Sequence, residues 1–114
     1  MSITPVDVCA ATYVAGVAAV PAATRKLVFA AYGIPASRQS AYVLDHLVPV
    51  GLGGSNDRAN LWPEPIAKAP AAHQKDRLEA WLRQRVCKAA MTLGRAQFAV
   101  AGNWLAEYHR AGLG

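Results

Sequence analysis

Cysteine is scarce in this sequence. Its two cysteines, Cys9 and Cys87, lie far apart, and neither belongs to a CxxC pair. The lack of paired cysteines excludes a zinc knuckle. The two residues either form one disulfide that ties the N-terminal segment to the rest of the chain or remain two buried thiols, and the sequence leaves both alternatives open.

Long hydrophobic runs are also missing. No stretch of about 20 apolar residues occurs, which excludes a transmembrane helix. The opening run, MSITPVD, has no positively charged region and therefore does not look like a secretory signal. We expect a cytoplasmic protein, or an exported one if this chain is a mature form.

Acidic residues are few, with 7 Asp and Glu against 12 Lys and Arg, and the formal net charge is +5. Such a charge attracts polyanions, so nucleic acid or an acidic membrane surface is a natural partner. The alternative is that the charge only keeps the protein soluble. A length of 114 residues, 54% of them hydrophobic, predicts one folded domain.

The first part of the chain contains no internal repeat. Residues 1–23 are rich in alanine and valine and predict an extended N-terminal arm, followed by one domain over residues 24–114. Thr24 is suited to cap a short helix, RKLVFAAY, which Gly33 and the proline two residues later would end.

The middle of the chain predicts a hairpin. The β-branched content of AYVLDHLVPV indicates a strand, and the polar, glycine-rich run GLGGSNDRAN indicates a loop. NLW predicts a short second strand, closed by Pro63 and Pro65.

Helical spacing follows from about Ala71 onward. One apolar stripe comprises Leu78, Trp81, Leu82 and Val86, and a second, in a last helix that begins at Thr92, comprises Leu93, Ala96, Val100, Trp104 and Tyr108. The predicted order is helix, strand, loop, strand, helix, helix. This is a small α+β domain with little sheet.

The candidate chemistry lies between residues 45 and 76. Hydrolysis of a phosphodiester needs an activated water and neutralisation of charge on the phosphoryl oxygens, which an imidazole and a metal ion can supply. His46 is the candidate base, and Asp45 offers the oxygen ligand that Mg²⁺ prefers. Adjacent strand residues point to opposite faces, so the two serve one site only if the backbone bends there. Asn60 is placed to pin the loop and orient His46.

A further metal ligand is expected at the start of the following helix, where His73 is the first candidate and Asp76 the next. Each of these residues also has a structural interpretation. A single histidine is more often a hydrogen-bonded structural group, Asp45 is able to cap a turn, and Asn60 is an ordinary loop residue.

The spaced runs DHLVPVGLGG, NLWPEP, KDRLE and RVC together resemble the HNH family of nucleases. The similarity is greatest to small bacterial and phage HNH-like proteins with DHLxPLxLGG, NLWP, KDxLE and VC motifs, and it covers about residues 24–110. It implies a ββα-metal core of hairpin and helix, with a short N-terminal helix and an additional C-terminal helix.

The resemblance also implies a role for each residue. His46 would be the general base, Asp45 a metal ligand, and Asn60 the residue that holds the loop. His73 would complete the site of one divalent ion, Mg²⁺ or alternatively Mn²⁺, with Asp76 as the other candidate. A Cys9–Cys87 bridge would help to replace the zinc-binding cysteine pairs that brace some HNH domains.

The expected activity is one-metal hydrolysis of DNA with weak sequence preference, leaving a 5′-phosphate and a 3′-hydroxyl, and no membrane partner is expected. The candidate phosphate contacts are Arg38, Arg58, Lys68, Lys75, Arg77 and Arg83. The alternative is a nucleic-acid-binding or packaging accessory protein that keeps the fold without cleavage.

Overall fold

The computed structural model describes the backbone of residues 3–66 and 69–114 and the side chains of 3–66 and 73–114. Its elements are α1 (Pro5–Val8), α2 (Ala22–Ala31), β1 (Tyr42–His46), β2 (Leu61–Pro65), α3 (Ala69–Cys87), α4 (Leu93–Ala101) and α5 (Trp104–Arg110). Short 3₁₀ turns lie at Val14–Gly16, Ala36–Ala41, Val50–Leu52 and Arg58–Asn60. The class is α+β, as predicted. Within the described ranges, no helix combines the length and apolar character needed to cross a membrane.

The N-terminal segment is not an extended arm, and that prediction is wrong for α1. Thr4 Oγ1 accepts a hydrogen bond from the Asp7 backbone, and the Asp7 carboxylate accepts one from the Thr4 N–H at 2.8 Å. This reciprocal capping box, with Pro5 in the first turn, begins the helix. Val8 at its end is fully buried, so the segment contributes to the core.

Two further contacts attach α1 to α3. A disulfide joins Cys9 to Cys87 across 78 positions of sequence. The Arg83 guanidinium also donates to the Val8 carbonyl, from Nη2 at 2.6 Å and from Nε at 3.3 Å. The N-terminal segment is therefore held both covalently and by a charge-assisted hydrogen bond.

The start of α2 differs from its predicted position. The helix begins at Ala22 rather than after Thr24, because the Pro21 carbonyl already accepts the N–H of Arg25 at 3.0 Å. Alanine favours the helix enough to extend it through these earlier positions.

The end of α2 confirms the predicted role of Gly33. Gly33 has φ +69°, its N–H donates to Ala30, and the next N–H, of Ile34, donates to Phe29. This pair of bonds is a Schellman motif, in which glycine adopts the left-handed conformation without steric cost.

The hairpin is antiparallel, with Asp45 opposite Trp62 and His46 opposite Leu61. The first strand is shorter than predicted. The second strand ends at Pro65, as predicted, but Pro63 lies inside β2 and does not close it. The Leu47 N–H donates to the Asn60 carbonyl at 2.8 Å. Ladder alternation then puts both prolines in non-hydrogen-bonded pairs, where a missing N–H costs no ladder bond.

The C-terminal part contains two helices where one was predicted. Thr92 caps α4 as expected, but the chain leaves the helix at Gly102, and Asn103 begins α5 by accepting from the Ala106 N–H. Glycine and asparagine are poor helix formers, and asparagine is a good N-cap, so the break is local in origin.

The main core lies between α1, α3, α4 and α5. Its buried members are Val8, Leu52, Leu78, Leu82, Val86, Leu93, Ala96, Ala99, Val100 and Tyr108. Phe29 of α2 and Leu61 of β2 are also buried, where α2 contacts the hairpin. The long helix α3 is thereby fixed at the centre of the molecule, beside the residues of the candidate site.

Candidate active site

Asp45 and His46 are the last two residues of β1, and they diverge as adjacent strand residues do. Asp45 Oδ1 accepts the His46 backbone N–H at 2.9 Å, while Oδ2 faces Lys75 on α3. The His46 ring instead contacts Asn56 in the loop. Among the described residues, the carboxylate and the imidazole share no side-chain partner.

Asn56 determines which nitrogen of His46 carries the proton. Nε2 of His46 lies 2.8 Å from Oδ1 of Asn56, and Nδ2 of Asn56 donates to the Ala18 carbonyl at 2.6 Å. The amide oxygen must therefore face the ring, and an amide oxygen only accepts, so Nε2–H is the donor. A neutral His46 consequently keeps its lone pair on Nδ1, which is the nitrogen able to take a proton.

Asn60 pins the loop, and it does so without touching the imidazole. Its Oδ1 accepts from the Val48 N–H, and its Nδ2 donates to the carbonyls of Val48 and Ser55, all at 2.9 Å. Gly54 is packed so closely against the Val48 carbonyl that any side chain there would collide with it. The loop-holding role fits the expectation for Asn60, whereas the ring is positioned by Asn56.

Lys75 is buried beside Asp45. Only 5% of the residue is exposed, and its Nζ donates to Asp45 Oδ2 at 2.9 Å and to the His46 carbonyl at 3.1 Å. Because the ammonium is used within the protein, the structure does not present it to an incoming phosphate. This buried pair is the main electrostatic feature of the site.

Two further carboxyl groups act on the same ion pair. Burial raises the pKa of Glu64, the charge of Asp45 raises it further, and Lys75 opposes both. Burial also raises the pKa of Glu79 to about 7, again opposed by Lys75 and reinforced by Asp45. The ammonium of Lys75 therefore lies among the carboxyl groups of Asp45, Glu64 and Glu79.

Glu64, Glu79 and Asn56 were not identified from the sequence. The spacing of Lys75 and Glu79, four residues apart on one helix, is a signal that could have found Glu79. The position of Glu64 depends on the strand register, and that of Asn56 depends on the loop conformation. No local sequence pattern predicts either position.

The predicted ligand pair of Asp45 and His73 is not brought together. His73 is exposed on α3, two positions from Lys75, and such positions lie about 200° apart around a helix. Since Lys75 faces Asp45, His73 is directed elsewhere. Asp76 is exposed, and its charge acts on Glu64 and Glu79.

The donor atoms at Asp45 do not fit a divalent ion in this arrangement. Carboxylate and carbonyl oxygens suit Mg²⁺, but the oxygens of Asp45 and His46 are already bound by the Lys75 ammonium. Within residues 3–66 and 69–114, no group of three His, Cys, Asp or Glu is placed to hold a metal.

Of the other candidate phosphate contacts, some are exposed and some already form hydrogen bonds within the protein. Arg38 and Arg58 are exposed, the latter on the turn before β2. Arg77 donates to the Tyr108 hydroxyl at 3.2 Å. Arg83 holds the Val8 carbonyl, and Lys68 lies outside the described residues. Arg38 and Arg58 remain the best placed of the set for a polyanion.

No family model matches the sequence, and no curated protein or solved structure is detectably similar to it. The likeness to HNH nucleases therefore depends on the spaced motifs alone.

Proposed function

We propose that this protein is an endonuclease of the HNH type that hydrolyses DNA phosphodiesters, with His46 as general base. The observation that carries the proposal is the Asn56 contact, which leaves the lone pair of a neutral His46 on Nδ1. In the described part of the chain, Nδ1 of His46 makes no hydrogen bond. A hairpin followed by α3 is also the order that a ββα core requires.

In this mechanism, Nδ1 of His46 accepts a proton from water, and the resulting hydroxide attacks phosphorus in line. The P–O3′ bond breaks, the departing 3′ oxygen takes a proton from solvent, and the products are a 5′-phosphate and a 3′-hydroxyl. Asn60 keeps the loop closed so that Asn56 holds the imidazole in one orientation. General base catalysis of this kind contributes about 10²–10⁴-fold to rate.

Arg38 and Arg58 are the proposed contacts to the DNA backbone, because both are exposed and basic. Contacts of this kind position a substrate without reading its sequence, which agrees with weak sequence preference. The net charge of +5 favours the same partner. The HNH resemblance implies metal dependence, but the oxygens of Asp45 and His46 that would hold an ion are bound by Lys75, and this mechanism uses no metal ion.

A second candidate is a nucleic-acid-binding accessory protein without cleavage activity. The observation that favours it is the Lys75–Asp45 ion pair, which neutralises the carboxylate that the nuclease mechanism was expected to use. Both candidates predict binding to DNA, but only the nuclease predicts a broken phosphodiester.

Plasmid cleavage distinguishes the two. Supercoiled plasmid is incubated with wild-type protein, His46→Ala and the matched control His109→Ala, each with Mg²⁺, with Mn²⁺ and with EDTA. His109 is exposed on α5, outside the site. We expect wild type and His109→Ala to relax the plasmid and His46→Ala to lose activity by about 10²-fold or more. Intact plasmid under every condition, together with a gel shift, would support the accessory protein instead.

A further inference from the structure

The contacts of Lys75 place a positive charge at the position where the HNH resemblance expects a metal ion. Its Nζ bridges the carboxylate of Asp45 and the carbonyl of His46, with 7% of the side chain exposed. A buried ammonium requires anionic or carbonyl partners to remain charged. Here those partners are the oxygens that a hard divalent ion would use.

A divalent ion and this ammonium exclude each other. Mg²⁺ binds oxygen at about 2.0–2.1 Å, so an ion on Asp45 Oδ2 would lie within a few ångströms of Nζ. Two cations at that distance repel strongly in a partly buried site. Metal binding at Asp45 therefore requires the Lys75 side chain to leave its position.

The position of Lys75 is set by the core rather than by a mobile surface. Leu78 and Leu82 of the same helix are 0% and 1% exposed, which fixes the face that α3 presents to the hairpin. The carboxyl groups of Glu64, 8% exposed, and Glu79 also feel the charge of this ammonium, which favours their ionised forms against burial. Displacing Lys75 would leave these carboxyl groups without their cation.

We infer that the Lys75 ammonium is the resident cation of the Asp45 site and takes the place of the divalent ion expected there. This inference concerns the site of the proposed nuclease, but metal binding is measurable without DNA. Its failure and the failure of the nuclease proposal are therefore distinguishable.

The test measures Mn²⁺ binding by electron paramagnetic resonance and by the shift in melting temperature. Wild type is compared with Lys75→Met, with the double variant Lys75→Met/Asp45→Asn, and with the matched control Lys26→Met, at an exposed position of α2. We expect Lys75→Met to bind Mn²⁺ at least about tenfold more tightly than wild type, a difference of about 1.4 kcal/mol. The double variant should lose this gain in Mn²⁺ affinity. The Lys26→Met control should bind Mn²⁺ no more tightly than wild type.

The melting experiment also shows whether the ion replaces the lost charge. Without metal, Lys75→Met should melt below wild type, and Mn²⁺ should raise its melting temperature while leaving wild type unchanged. If Lys75→Met does not fold, Lys75→Gln takes its place, since its amide can still donate to Asp45.

Wild type that binds Mn²⁺ as tightly as the folded Lys75 variant, with loss of binding in Asp45→Asn, overturns the inference. A folded Lys75 variant that gains no Mn²⁺ affinity overturns it as well. Plasmid cleavage by wild type in EDTA would support both the inference and the nuclease. Cleavage that requires Mn²⁺ bound at Asp45 would keep the nuclease and reject the inference.

Discussion

Asn56 accepts a hydrogen bond from Nε2 of His46 at 2.8 Å, ten positions along the chain from it. The same amide donates to the Ala18 carbonyl, so the N-terminal segment takes part in orienting the imidazole. Asn56 is thus a positioning residue that links residues distant in sequence to the proposed base.

Asn56→Ala should lower kcat by about 10–100-fold with little change in KM, because loss of an orienting partner has effects of that size at comparable sites. Asn56→Asp should shift the acid limb of the pH–rate profile to higher pH, because an added carboxylate stabilises the protonated imidazole. Steady-state kinetics between pH 5 and 9 measure both effects. A purely structural role would leave the profile of Asn56→Asp in place.

Asn60→Ala should destabilise the fold by about 2–3 kcal/mol, because three hydrogen bonds to the loop backbone are lost and the two to Val48 are partly buried. Asn103→Ala, which removes one exposed helix cap, is the matched control and should cost about 1 kcal/mol. Urea denaturation followed by circular dichroism gives both values. Equal losses in the two variants would show that Asn60 does not hold the loop.

Glu79 should make the protein less stable as pH rises. Burial raises its pKa to about 7, whereas an unfolded chain has a value near 4.5, so the folded state binds the proton more tightly. Its contribution is fully present below the unfolded value and is lost between about pH 4.5 and pH 7. Glu79→Gln should therefore flatten this decline, by up to about 3 kcal/mol of unfolding free energy.

Glu107 is the matched control, because its pKa is lowered rather than raised in the folded protein. Burial acts to raise its pKa, but hydrogen bonds and charges from Arg95 and Arg110 outweigh burial and lower it. Its contribution is present above the unfolded value and is lost as pH falls through the lower folded value. The difference in denaturant midpoint between wild type and each Gln variant, measured from pH 3 to 8, should change with pH in opposite directions for the two variants. Parallel changes would contradict this assignment.

Reduction of the Cys9–Cys87 disulfide should destabilise the protein by about 4 kcal/mol, because the bond closes a long loop of the unfolded chain. Guanidinium denaturation with and without dithiothreitol measures the difference. The double variant Cys9→Ser/Cys87→Ser should show the lower stability and no response to the reductant. If dithiothreitol lowered the stability of wild type and of the double variant equally, its effect would not come from reduction of the Cys9–Cys87 bond.

Local signals were enough to predict part of this fold. The end of α2 at Gly33 and the start of α4 at Thr92 were predicted correctly, because a C-terminal glycine and an N-cap threonine act within one turn of helix. The hairpin was also located, and its second strand ends at Pro65 as predicted, but Pro63 lies within that strand. Both prolines are tolerated because they occupy non-hydrogen-bonded pairs, and strand pairing rather than composition determines those positions.

The candidate site was predicted less completely. Asp45, His46 and Asn60 lie together at one end of the hairpin, as the motifs indicate, but the partner of the His46 ring is Asn56. His73, the predicted partner of Asp45 in a ligand pair, lies on another face of α3, because the register of that helix turns Lys75 toward Asp45. The angular position of a helix follows from its buried face, here Leu78 and Leu82, and a motif alone does not specify it.

The disulfide also determines what a protease can release from this protein. Cys9 and Cys87 close a covalent ring that contains both strands, the loop and Lys75. A single cut at an exposed position inside this ring, such as Asp57 or Arg58, opens the ring but releases no fragment. Nicked protein would keep its full mass until reduced, and every residue of the candidate site would stay on one connected molecule.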